Sequence, residues 1–312
     1  MSATTSARHA AGTPATNSPS PLASAAGNHG VNLLRVLNSE FLKFRTLMST
    51  KLLVVLTLVA IVGVGWLSAL VRWNIIDSMV KGLGRNGGPG GQKLTAEQAV
   101  QSFPPGQGFD LYNLPNAGLN IGILVLGSLA VLFIASEYAT GMIRSTMNAA
   151  PGRISTFVAK AIVLVLISYV LSIIGGLITF ALSQPMFEGL GLKLNWGTDG
   201  VLYSLLTGGL YVSGVALIGL SLGTLLKNSA GGITVLVGIM FVLPFAANFL
   251  QFAPGEFWKY VPQYLPSEAA GRFLAIGRAE GILDPAMGGL IFLGYVILFL
   301  VPALIAIKKR DV

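Results

Sequence analysis

Six stretches of this chain, each 18 to 26 residues long, contain no Asp, Glu, Lys or Arg, and no other feature narrows the fold so far. They are Leu52–Val71, Gly118–Ala135, Ala161–Ser183, Val201–Leu226, Ser229–Leu250 and Met287–Ile307. About 20 helical residues, rising 1.5 Å each, cross the roughly 30 Å hydrocarbon layer of a bilayer. The last stretch is the clearest, with Ile291, Phe292, Leu293, Val296, Ile297, Leu298, Phe299, Leu300, Val301, Leu304, Ile305 and Ile307 all strongly apolar. Residues of this kind favour insertion by about 0.3–0.6 kcal/mol each, or roughly 4–7 kcal/mol for the set. Composition agrees: 10% of residues are charged and the mean hydropathy is +0.73, whereas soluble domains carry roughly 25% charge. The expected fold class is an all-α integral membrane protein with six transmembrane helices.

The flanking segments add detail. Residues 1–30 are nearly all Ser, Ala, Thr, Pro, Gly and Asn, with no apolar run; they read as a disordered tail and not as a signal peptide. Residues 31–312 then form a single membrane region. Over 31–48, Leu33, Leu37, Phe41, Phe44 and Met48 share one helical arc, with Lys43 and Arg45 on the other side. That is the pattern of a basic amphipathic helix lying in the headgroup region. Glu40 falls inside the apolar arc, where it either pairs with Lys43 three residues on and snorkels, or contacts a partner or neighbouring loop. Residues 72–117 read as a long loop with a glycine-rich hinge, Gly82–Gly91, and a capping box formed by Thr95 and Gln98. Residues 251–286 carry Phe257, Trp258, Tyr260 and Tyr264, which suit short re-entrant helices before the last span.

Charge placement sets the expected orientation. Twelve Lys or Arg and three acids lie on the side of the two chain ends; eight basic and nine acidic residues lie on the other. The positive-inside rule puts the first side in the cytoplasm of a cell membrane. The net charge of +8 is thereby accounted for by topology and lipid headgroups, not nucleic acid. There is no cysteine, and both histidines, His9 and His29, lie in the tail. Thiolate or buried imidazole metal sites and Ser–His chemistry are excluded, so no catalytic or metal-ligating residues are expected.

The middles of the spans lack the ionisable groups that proton relays and charge-coupled carriers use. If the protein moves a solute, ATP is the expected energy source, yet no Gly-Lys dipeptide occurs and a Walker A loop is absent. ATP and Mg would have to be bound by another polypeptide. The link after the second span is the expected docking point: read as a helix, Glu137, Gly141, Arg144 and Asn148 form one polar stripe. A plain stop-transfer boundary would look similar. Gly118/Gly122 and Gly219/Gly223 permit close helix crossing, expected within one subunit more than at a dimer seam.

Several segments resemble the membrane permease subunits of type-2 ABC transporters, especially actinobacterial ones. Ser39-Glu40 with Lys43 and Arg45 is similar to the family's N-terminal stretch, and Glu137, Tyr138, Gly141 and Arg144 to its Glu-aromatic-x-x-Gly-Thr-x-Arg motif. Met142 departs from the family's usual Thr. Pro151, Arg153 and Lys160 look like the entry to the third span, Tyr264-Leu265-Pro266-Ser267 like the outer segment, and Lys308–Val312 like the ending. The resemblance implies an exporter half that pairs with a second permease subunit and with ABC ATP-binding subunits. Glu137, Tyr138, Gly141 and Arg144 would couple to the ATPase, supported by the amphipathic helix with Glu40, Lys43 and Arg45; this chain itself would hold no cofactor. The alternative is a non-transporting anchor or sensor subunit, and a third reading is an autonomous ion-coupled carrier.

Overall fold

A computed structural model describes residues 33–86, 95–103, 110–143, 153–252, 254–276 and 282–309. Among them there is no strand. The N-terminal tail, the end of the glycine-rich hinge, and residues 144–152 lie outside the described residues.

The chain opens with α1 (Leu33–Thr46) and, after Leu47, α2 (Met48–Asn86). Next come a short α3 (Ala96–Gln101), a 3₁₀ turn (Leu111–Asn116) and α4 (Leu119–Ala139). Then follow α5 (Arg153–Glu188), α6 (Val201–Leu226) and α7 (Ser229–Val237), the last continued through a π turn (Gly238–Val242) into α8 (Leu243–Ala247). Two short helices, α9 (Phe257–Tyr260) and α10 (Pro266–Leu274), precede α11 (Pro285–Lys309). Six of the helical segments are long and apolar enough to cross a membrane, and each contains one of the six uncharged stretches.

α2 runs well past its expected span. The 39 residues of α2 extend about 58 Å, so its last four turns occupy what the sequence suggested was loop, and Gly82 is helical. The extension is held by packing: Ala69 and Ile76 are fully buried in a cluster with Phe180 and Phe187 of α5 and with Ala96 and Ala99 of α3. The capping box of α3 forms as expected, with Thr95 accepting from the Gln98 amide and Gln98 from the Thr95 amide. Pro244 follows the π turn instead of breaking the segment outright. The extra residue per turn absorbs the amide that proline lacks.

The bundle is built around α6, of whose apolar window 83% is buried, against 22–56% in the other five segments. Its glycines let neighbours approach to backbone distance. A Cβ at Gly219 would stand 2.6 Å from the Gly127 carbonyl oxygen of α4, and one at Gly223 would stand 2.8 Å from that of Val131. Gly118 and Gly122 likewise face Ile61 of α2. These small residues therefore pack the bundle within the chain. Several hydroxyls inside the spans are satisfied locally: Thr57, Ser168, Thr179 and Thr224 each donate to the carbonyl four residues earlier. The outside is a belt of large apolar side chains, including Leu52, Val59, Leu166, Leu210, Leu290 and Leu298. A water-facing surface would not carry such a belt, whereas a lipid-facing one would.

Long helices consecutive in the chain alternate in direction, so that α4 and α6, packed side by side, run parallel. At one end, the start of α2 meets the end of α4 and the start of α5; at the other, the start of α4 meets the start of α6. There the buried Asn116 donates its amide to the Ser204 carbonyl (2.8 Å), the Ser204 hydroxyl (2.9 Å) and Asn113 Oδ1 (3.0 Å). Asn116→Ala is expected to lower stability by about 1–3 kcal/mol. Thermal unfolding in detergent checks this, with Asn74→Ala, at an exposed α2 position, leaving the midpoint unchanged. The aromatic-rich segment folds back on the same end. Gly288 of α11 admits the Ala269 carbonyl of α10, Tyr203 donates to the Phe273 carbonyl (2.9 Å), and the Ile276 amide donates to Tyr112 Oη (2.8 Å).

Candidate functional site

At the end of the bundle where α1, the end of α4 and the start of α5 come together, four charged side chains from three helices meet. Glu40 of α1 and Lys160 of α5 are almost completely buried, with relative exposures of 0% and 1%. Lys160 Nζ lies 2.5 Å from Glu40 Oε2 and 2.7 Å from Glu137 Oε1 of α4. Lys43 Nζ closes the ring, 2.8 Å from Glu40 Oε1 and 3.2 Å from Glu137 Oε1. The junction holds two ammonium groups and two carboxylates, so its formal charge is zero.

Local sequence explains how each group arrives there. Glu40 lies between Val36 and Phe44 on the α1 face that packs inward, so the helix cannot bury its apolar stripe without burying the carboxylate. Phe44 stacks edge-on against Phe133 of α4 at 5.6 Å, which pins α1 over the same turn of α4 that carries Glu137. Lys160 shares its helical face with Thr156, Phe157 and Val163, all buried. Its ammonium also stands 4.5 Å from the centre of the Phe133 ring, a cation–π contact in a dry setting.

Isolated charges in such a place would cost several kcal/mol each; mutual pairing is what makes their burial tolerable. For Lys43, burial is the largest influence and opposes the charge. Hydrogen bonds to, and attraction from, Glu40 and Glu137 together outweigh it, holding the pKa above the ordinary lysine value. Its contribution to stability is therefore in full force at neutral pH and is lost only as pH rises past the lysine range.

The α1 arc divides differently from the expected pattern. Val36, Leu37, Glu40 and Phe44 face the bundle; Leu34, Phe41, Leu42 and Met48 face outward. Of the two accounts of Glu40, the pairing with Lys43 holds, without snorkelling to the surface; its other contact is Lys160 of a neighbouring helix, not a loop or a partner. Lys43 is turned into the junction and not to the solvated side. Arg45 is exposed.

The polar stripe after the second span is not one continuous helix. α4 ends at Ala139, and Gly141 adopts φ +71°, a left-handed conformation that suits glycine and stops the helix. Glu137 thus points into the junction while Gly141 and Met142 are exposed. Tyr138 is half-buried, and Lys227, at the αL cap of α6, stands 5.2 Å from its ring centre. Arg144 and Asn148 lie outside the described residues. Beside the junction is a groove of about 270 Å³ between the α1–α2 corner and α4, lined by Lys43, Leu47, Thr50, Phe133, Glu137 and Met142.

Lys160 is the residue that sequence reasoning missed. It stands directly before an uncharged run, where a lysine is ordinarily read as a headgroup anchor. A signal was available: this side of the chain carries only three acids, and Glu40 lies in an apolar arc that demands a buried cation nearby.

The fold and this junction define an all-α, multi-pass membrane protein whose surface helix is ion-paired into its bundle. No protein-family model matches the chain, and no curated protein matches it.

Proposed function

We propose that this chain is the permease subunit of an ATP-driven exporter of the ABC type, lying in the cell membrane with both ends in the cytoplasm. It would pair with a second permease subunit and take its energy from separate ATP-binding subunits. The observation that carries the reading is the buried charge junction, which makes α1, the end of α4 and the start of α5 one mechanical unit. A push on the segment after α4 then reaches α4, and through its glycine contacts with α6 reaches the centre of the bundle. The sequence supplies a second support: the six spans carry no central charges for a proton relay, and the sequence has no P-loop. The basic excess that the sequence assigns to the side of Glu40, Glu137 and Lys160 supports a cytoplasmic placement of the junction.

The test is purification of the tagged full chain from native membranes, with ATP hydrolysis measured on the complex. A P-loop ATPase should copurify stoichiometrically. Arg144→Glu should reduce either its association or its hydrolysis at least about tenfold, the loss expected when a charged interface contact is reversed. Absence of an ATPase partner sinks the proposal. If an ATPase copurifies but its hydrolysis is indifferent to Arg144→Glu and Glu137→Gln alike, the chain is an anchor and not a coupled permease.

A further inference from the structure

Among the described residues, three buried side-chain atoms have no hydrogen-bond partner: Glu137 Oε2, Thr156 Oγ1 and Arg72 Nη1. Glu137 belongs to the charge junction and Thr156 stands one turn before Lys160. Arg72 lies at the other end of the bundle. A guanidinium is always charged and carries five donors in a fixed plane. Folded proteins seldom leave such a donor buried without an acceptor, and one that borders a polar pocket is placed to meet an acceptor inside it.

Arg72 lines a pocket of about 280 Å³ together with Arg272, Asp110, Glu268, Asn113 and Asn116. The lining comes from α2, from Asp110 and the 3₁₀ turn that follows it, from Asn120 of α4, and from α10 with Ala275 after it. The wall is built rather than loose, because Asn113 and Asn116 are locked to each other and to Ser204. The lining therefore presents two guanidinium groups and two carboxylates within one small polar space. That charge pattern matches a ligand with an anionic and a cationic group a few bonds apart.

Depth and surroundings narrow the class. Lys51 and Arg72 are 21 residues apart on α2, about 32 Å along the axis, and Asn120 and Glu137 are about 26 Å apart on α4. The pocket thus sits one hydrocarbon thickness from the charge junction, at the level of the opposite headgroups. Next to its lining residues, Leu67, Val71 and Ile121 are exposed on the outer surface of the bundle. Such a surface offers a path for acyl chains below a polar head.

We propose that this pocket binds the headgroup of a phospholipid of the phosphoethanolamine kind, with Arg72 and Arg272 taking the phosphate and Asp110 and Glu268 facing the ammonium. Arginine is the side chain best suited to phosphate, which it meets with two parallel donors. The proposal is independent of the export reading, since it would hold whether the lipid is cargo or a fixed structural ligand.

The test uses the full chain in an uncharged detergent after removal of native lipid, with thermal midpoints measured by size-exclusion after heating. Phosphatidylethanolamine in mixed micelles should raise the midpoint saturably, by about 5 °C or more. Arg72→Gln should abolish the rise while the variant still melts cooperatively without lipid, which separates loss of binding from loss of folding. Arg272→Gln, on a different helix, should weaken the lipid's effect several-fold, and the exposed Arg35→Gln should leave it intact. If soluble phosphoethanolamine gives the same rise as the lipid, the headgroup chemistry stands and the source is a free metabolite. No rise, an equal rise in Arg72→Gln, or an equal rise with phosphatidylglycerol in the wild type overturns the proposal.

Discussion

Lys160→Met should destabilise this protein by about 3–5 kcal/mol, because it leaves Glu40 and Glu137 buried around a space with half of its positive charge gone. The apparent unfolding midpoint in detergent should fall by roughly 10 °C. Lys43→Met should cost less, since Lys43 is partly exposed and water can take its place beside the carboxylates. Replacing all four groups at once, with Glu40→Leu, Lys43→Met, Glu137→Leu and Lys160→Met, should recover most of the lost stability. Buried ion pairs are often matched by apolar packing of similar volume. That quadruple variant is also the sharpest probe of purpose. If the charges serve only folding, it behaves as the wild type in every assay; if they couple α1 and α4 to a partner ATPase, it folds but loses ATP-dependent hydrolysis control. Should Lys160→Met melt within a degree or two of the wild type, the junction is not a structural tie and its mechanical role fails as well.

The parts of this molecule legible in its sequence are those governed by the solvent. All six spans follow from runs without charge, because a bilayer penalises each ionised group independently of its neighbours. The capping box at Thr95 and Gln98 was legible for a different reason: it involves four consecutive residues and no tertiary contact. What could not be read were features decided by distant partners. α2 continues past Val71 because Ile76 is buried in one cluster with Phe180 and Phe187, more than 100 residues on, a packing that no local pattern announces. Lys160 looks like a headgroup anchor until Glu40 and Glu137 are brought to it by the packing of Phe44 on Phe133. The apparent stripe through Glu137 and Gly141 assumed an unbroken helix, and the left-handed Gly141 ends it. Arg72 posed the opposite difficulty: it lies just past an apolar run and reads as a boundary residue, but the continuing helix carries it into a polar pocket.

Gly219→Ala should be far more damaging than its single added methyl suggests. The new Cβ would stand 2.6 Å from the Gly127 carbonyl oxygen, and backbone on both sides prevents the neighbour from stepping aside. Relief requires α4 and α6 to separate by several tenths of an ångström along their shared seam, and α6 is the helix on which the rest of the bundle packs. Overpacking of this kind costs about 1–3 kcal/mol in ordinary cores, and the backbone clash places this site at the upper end. Gly127→Ala meets the Leu236 Cδ2 methyl at 2.5 Å, the movable end of a side chain, so its cost should be smaller. Gly63→Ala meets nothing within 4 Å and should be neutral or slightly stabilising, since alanine favours helix over glycine by about 1 kcal/mol. The three midpoints, measured side by side, should therefore fall in the order Gly63→Ala, Gly127→Ala, Gly219→Ala. Equal effects at Gly219 and Gly63 would mean that α4 and α6 do not touch as described. The route by which motion at Glu137 would reach the bundle centre would then be lost with that contact.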